Sequence, residues 1–122
     1  MATENHGKSV SLEAAADLSS YQDRFVKLSS GKVTYCGAGQ DAIGVLTNDP
    51  SAAGRAAEVV LSGIAKVTAG GNCTQDGMAA SDSAGRAVNA ASGDYILGKF
   101  LDAATTAGEK IRVLLFASHP TL

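Results

Sequence analysis

Aromatic side chains are scarce in this sequence: there is no tryptophan, and three tyrosines and three phenylalanines are the whole supply. Sites for sugars or single-stranded nucleic acid stack their ligand on aromatic faces. Here few rings remain for that once a core is packed. Tyr21, Phe25 and Tyr35 are the candidates for stacking on bases, but without a basic groove their simpler role is packing. A basic excess is missing too. Ten Lys and Arg stand against twelve Asp and Glu, for a net charge of −2, and nothing in that balance draws the chain to nucleic acid or anionic lipid. No apolar run approaches the roughly 18 residues of a membrane span. The stretch MATENHGKSVS is polar throughout, so no secretory signal is expected. These absences describe a soluble chain made in a cytoplasm, with neither nucleic acid nor membrane as partner.

Cysteine is nearly absent as well. Cys36 and Cys73 are too few for a disulfide framework. Zinc ligands come in close pairs, whereas Cys36, Cys73, His6 and His119 are scattered singly; two free thiols, at least one packed as a small hydrophobe, are expected instead, with an intermolecular disulfide as the alternative. Catalytic motifs are missing in the same way. There is no G-x-x-x-x-G-K-[ST] phosphate loop, and GAGQDAIG (37–44) has the wrong spacing for a dinucleotide fingerprint and no helix after it. A nucleophile needs a nearby base, and the two histidines lie near the chain ends. Asp41, Asp76, Asp82, Asp94 and Asp102 sit beside turns, where such residues ordinarily bond local backbone. Lys32, Arg55, Arg86, Lys99, Lys110 and Arg112 read as a solvated strand face. Neither an enzyme nor a cofactor is expected.

What is present is glycine in a pattern. Shifted by 54 positions without gaps, the sequence brings Gly31 onto Gly85, Gly39 onto Gly93, Gly44 onto Gly98 and Gly54 onto Gly108. Lys32 then meets Arg86, Ile43 meets Leu97, Leu46 meets Phe100, Val59 meets Val113 and Leu61 meets Leu115. A nucleotide loop is needed once, whereas a turn is needed wherever a strand reverses, so the repetition reads as turns.

The segments between them alternate with period two. Ala57, Val59 and Leu61 form one apolar trio, and Ile111, Val113 and Leu115 its repeat mate, so both are expected to face one core. Further strands are expected at 23–28, 32–35, 42–47, 63–69, 86–90 and 94–101, with NDPSAAG (48–54) and DAATTAG (102–108) as single helical turns. About eight short strands with turn signals between them predict an all-β fold, a small barrel or sandwich with an internal duplication. Residues 1–20 lack sustained alternation and are expected as an extended N-terminal arm ahead of one β-domain, 21–122, that orders on a partner.

The ordered set "YQDRFVKLSSGKV…DAIGVLTNDPSAAGRAAEVVLSGIAKVTAGG…GRAV…GDYILGKFLDAATTAGEKIRVLLF" resembles the tailed-phage capsid cement, or head-decoration, family, over about residues 20–116. The resemblance implies a small β-barrel or β-tulip on the outer surface of a virion head. It implies the major capsid protein as partner, and self-association as a homo-trimer or dimer, with neighbouring capsid subunits clamped together and no catalytic residues. On this reading the candidate capsid contacts are Ser9, Val10 and Leu12 in the arm with Asn48, Asp49, Pro50, Ala52, Ala104 and Thr105 in the paired loops. Leu114 and Phe116 are candidates for the contact between copies. The rival readings are a small ligand- or carbohydrate-binding β-domain, which needs an apolar pocket with aromatics, and a small hydrolase, which needs a convergent polar site.

Overall fold

The computed structural model describes the backbone of residues 5–120, and within them the chain is all β. Eleven strands appear in order: β1 (Asn5–His6), β2 (Ser9–Glu13), β3 (Phe25–Ser29), β4 (Lys32–Tyr35), β5 (Gly44–Leu46), β6 (Ala56–Val60), β7 (Gly63–Thr68), β8 (Met78–Ser81), β9 (Ala87–Asn89), β10 (Tyr95–Phe100) and β11 (Lys110–Pro120). They form two antiparallel sheets, ordered β2-β6-β5-β3-β4 and β1-β7-β11-β10-β8-β9. Without β1, the second order is the first advanced by five strands. The duplication read from the glycines is thus a duplication of fold.

Equivalence extends to individual bonds. Ala14 bridges Val33 in parallel and Ala69 bridges Ala87, so each sheet curls until its first strand touches its last without closing into a full ladder. The Asp23 N–H donates to the Leu46 carbonyl at 2.7 Å, and the Asp76 N–H to the Phe100 carbonyl at 2.9 Å. Both aspartates have positive φ, 62° and 67°. Beside them Gln22 and Gln75 each donate a side-chain amide to a carbonyl, of Thr47 and of Leu101. This Gln-Asp pair repeats one position out of register with the glycines, and an ungapped comparison passes over it.

Four expectations change. Residues 5–20 are not an arm in this fold: Ser9–Glu13 pair with β6 from Ser9↔Val60 to Glu13↔Ala56, and Ala14 and Leu18 are fully buried. Alternation in β2 is real but only five residues long, and the free edge of β6 recruits it. β8 is a strand unforeseen from MAAS, because Ala79 and Ala80 occupy buried sites where small side chains pack whatever their intrinsic strand preference. Neither 48–54 nor 102–108 is helical; each ends in a hydrogen-bonded turn, from the Arg55 N–H to the Ala52 carbonyl and from the Glu109 N–H to the Thr106 carbonyl.

The single core also becomes two. Ala57 and Val59 are buried with Ala14, Leu18, Val26, Val33 and Leu46, with Leu61 packed against them. Ile111, Val113 and Leu115 belong to a second cluster with Ala65, Val67, Ala79, Ala87, Leu97 and Phe100. Equivalent trios lie in equivalent surroundings, each inside its own curled sheet. Phe25, Val45 and Val60 point out of the first sheet and join the second cluster, welding the halves together.

Candidate functional site

The paired loops after β5 and β10 are built alike. Thr47 donates its N–H to the Glu58 carbonyl at 2.9 Å, and Leu101 to the Arg112 carbonyl at 3.0 Å. The next residue then caps the following strand. Asn48 accepts the Glu58 N–H at 2.9 Å and donates to the Ala56 carbonyl at 3.0 Å. Its mate Asp102 accepts the Arg112 N–H at 3.0 Å and holds the Arg112 guanidinium through both carboxylate oxygens, at 2.9 and 3.0 Å. Those bonds hold the Asp102 carboxyl down at about 2 and raise the guanidinium in turn.

Two loop residues turn inward. The Pro50 carbonyl accepts the Leu18 N–H at 2.8 Å, and the Ala104 carbonyl accepts the Cys73 N–H at 2.9 Å. Both are buried and form the loop floors. Asp49, Ala52 and Thr105 stand exposed above them, and Asn48 is half-buried. In the first loop Asn48, Asp49, Pro50, Ser51, Arg55 and Ala56 line an open concavity of about 390 Å³. Each loop is tied to its own half of the molecule by these bonds. Ser9 is exposed on β2, while Val10 and Leu12 are half-buried against the first core. Leu114 faces outward from β11. Phe116 lines, with Phe25, Leu97 and Leu115, a seam cavity of about 10 Å³ between the halves, room for about one water.

Chemistry at the remaining candidates is quiet. Cys36 and Cys73 are buried free thiols. Burial pushes both upward, Cys73 to about 11, so at neutral pH neither supplies the thiolate that reacts. Among the described residues no three His, Cys, Asp or Glu side chains gather as a metal site. Tyr21 and Tyr35 stack on each other at 4.6 Å with rings 6° from parallel, and the Arg24 guanidinium lies 5.3 Å over Tyr21. Phe25 is buried. Sequence reasoning missed two exposed apolar residues, Leu28 and Met78. The repeat pairs Met78 with Phe25, and its exposure is visible only once the halves are assembled.

Comparison with known proteins follows the fold closely. The family model described as phage cement protein matches residues 5–115. Among solved structures, the N base of the head fiber gp8.5 of bacteriophage phi29 superposes with a TM-score of 0.72 at 16% identity, covering 89% of this chain and 93% of that one. No curated protein matches.

Proposed function

Because the chain belongs to the phage cement protein family, a structural role at the phage head is its frame, and we propose that it is a decoration subunit that binds the outer surface of the shell and clamps neighbouring major capsid subunits. The observation that carries this reading is the extent of the family match, which runs through both halves of the duplicated fold. The exposed loop residues Asp49, Ala52 and Thr105, with Asn48 and the outer edge of β2 at Ser9, are the proposed contacts. Pro50 and Ala104 hold the loop floors, and Val10 and Leu12 seat β2 beneath its edge. Small side chains at the loop tips allow close approach, and few charges need desolvation there. Many copies on one lattice add weak contacts by effective concentration. No reaction and no cofactor enter this role.

A ligand that binds only the intact lattice stabilises it by mass action. Heads carrying the protein should therefore rupture at a higher temperature than stripped heads, and re-addition of protein should restore the difference. Equal rupture temperatures, together with failure to rebind, refute the clamp. Replacing Asp49, Ala52 and Thr105 together by Lys should lower head occupancy in competition while leaving the melting temperature of the free protein unchanged.

A further inference from the structure

The paired loops share a backbone but not a charge. Around their last residue the bonds match one for one. The Arg55 N–H donates to the Ala52 carbonyl at 3.3 Å, and the Glu109 N–H to the Thr106 carbonyl at 3.4 Å. The Gly54 N–H reaches the Ala14 carbonyl at 2.9 Å, and the Gly108 N–H the Ala69 carbonyl at 2.8 Å. The Arg55 carbonyl accepts the Ala14 N–H as the Glu109 carbonyl accepts the Ala69 N–H. The side chains of Arg55 and Glu109 therefore leave from equivalent places.

What they bring there is opposite. Glu109 turns its carboxylate back onto its own loop and accepts the Thr105 N–H at 3.3 Å. The mate of that donor is the Ser51 N–H, which has no acceptor among the described residues. In place of a carboxylate, the first loop carries the Arg55 guanidinium, which can only donate. Among the described residues Arg55 has neither an ion pair nor a side-chain hydrogen bond. Two donors thus line the open concavity of about 390 Å³ where the second loop supplies its own acceptor. Nearby carboxylates do not fill the role. Asp49 lines the same concavity but bonds to neither donor, and Glu13 on the adjoining strand is paired with Lys32 at 3.6 Å. Asp49 also weakens the pull of Arg55 on anions at large, so selection rests on reaching both donors rather than on net charge.

We propose that this socket takes one carboxylate from outside the chain, an acidic side chain of the shell surface on which the loop docks, accepting the Ser51 N–H and the Arg55 guanidinium as the Glu109 carboxylate accepts the Thr105 N–H. Arginine is longer than glutamate and its planar fork matches a carboxylate, so the guest fits between guanidinium and loop. One such contact is weak, and many copies on a lattice add it by effective concentration. The source of the carboxylate rests on the capsid reading above; the socket itself does not.

The free protein tests the socket. Sodium acetate raised to about 0.5 M, the range that one exposed pair requires, is compared with sodium chloride at equal ionic strength in amide NMR spectra. Acetate should shift the Ser51 N–H with saturation, while the Thr105 N–H, already capped by Glu109, stays in place as the internal control. Arg55→Gln should remove the Ser51 shift, and Arg55→Lys, which keeps the charge without the fork, should weaken it. No saturating shift at Ser51, an equal shift at Thr105, or a shift that survives Arg55→Gln overturns the socket.

Heads test the source. Arg55→Glu places a carboxylate where the second loop has one, so the first loop should cap itself. Its melting temperature should not fall, while head occupancy in competition with the parent should drop about tenfold or more. Equal occupancy by parent and Arg55→Glu overturns the assignment to the shell. A parent that does not bind heads at all refutes the clamp and that assignment together, and the acetate titration still decides the socket.

Discussion

At the scale of single residues, the four repeated glycine pairs divide by what each needs from glycine. Gly54 and Gly108 have φ of 88° and 96°, and a Cβ on either would enter open space. Alanine there meets backbone strain alone and should cost about 1 kcal/mol. Gly44 and Gly98 sit inside strands, where a Cβ would fall on the carbonyl oxygens of Val60 and Leu114. Those alanines should cost more, about 1–3 kcal/mol, by separating β5 from β6 and β10 from β11. Urea midpoints of the four variants should rank accordingly; equal losses at all four would refute the distinction. Asp102 adds a pH dependence. Its carboxyl lies at about 2 against an ordinary 3.8, so its contribution is complete above about pH 4 and fades as pH falls towards 2. Asp102→Asn keeps an acceptor, as Asn48 does in the other loop. The variant should lose only about 0.5–1 kcal/mol at pH 7, the scale of a partly exposed pair, and that deficit should vanish as the pH approaches 2.

Among the elements, β2 carries the sharpest consequence. A dispensable arm could be removed without harm, but β2 pairs along its length with β6 and covers the first core with Val10 and Leu12. Deleting residues 1–13 should abolish cooperative unfolding or leave aggregated protein; a truncated chain that melts like the parent would contradict the sheet order. Of the three strands missed in the sequence, β1, β2 and β8, the last two were present in the repeat. β8 is the mate of β3, one residue out of register because the Gln-Asp pairs lie closer together than the glycines. β2 is the mate of β7, displaced the other way. SVSLE and GIAKVT share almost no residue types, so only the pairing partner reveals that they do the same work. The candidate loops were legible as a pair, yet the inward turn of Pro50 and Ala104 was not, because it depends on bonds to Leu18 and Cys73 from elsewhere in the chain.

For the molecule as a whole, the joint between the halves makes equivalent positions unequal. Phe25→Ala should cost about 3–5 kcal/mol, as for a buried aromatic, whereas Met78→Ala at the matching site should cost under about 0.5 kcal/mol in the isolated chain. Chemical denaturation measures both, and similar losses would show that the halves share their faces symmetrically. Since Phe25, Val45 and Val60 lie in the second half's cluster, a single unfolding transition is expected rather than two.

By itself the sequence determined the class, the duplication and most strand positions. Alternation and glycine spacing are local signals, and they survive comparison of the chain with itself. It also carried the family resemblance, through an ordered series of turns and strands rather than any one motif. Only the tertiary structure decided that equivalent trios fill two interiors, that residues 9–13 form the edge strand of a sheet, and that Val60 is buried while Leu114 is exposed. Each of those outcomes depends on which surface the other half covers. Packing between distant segments is not a property of either segment's pattern.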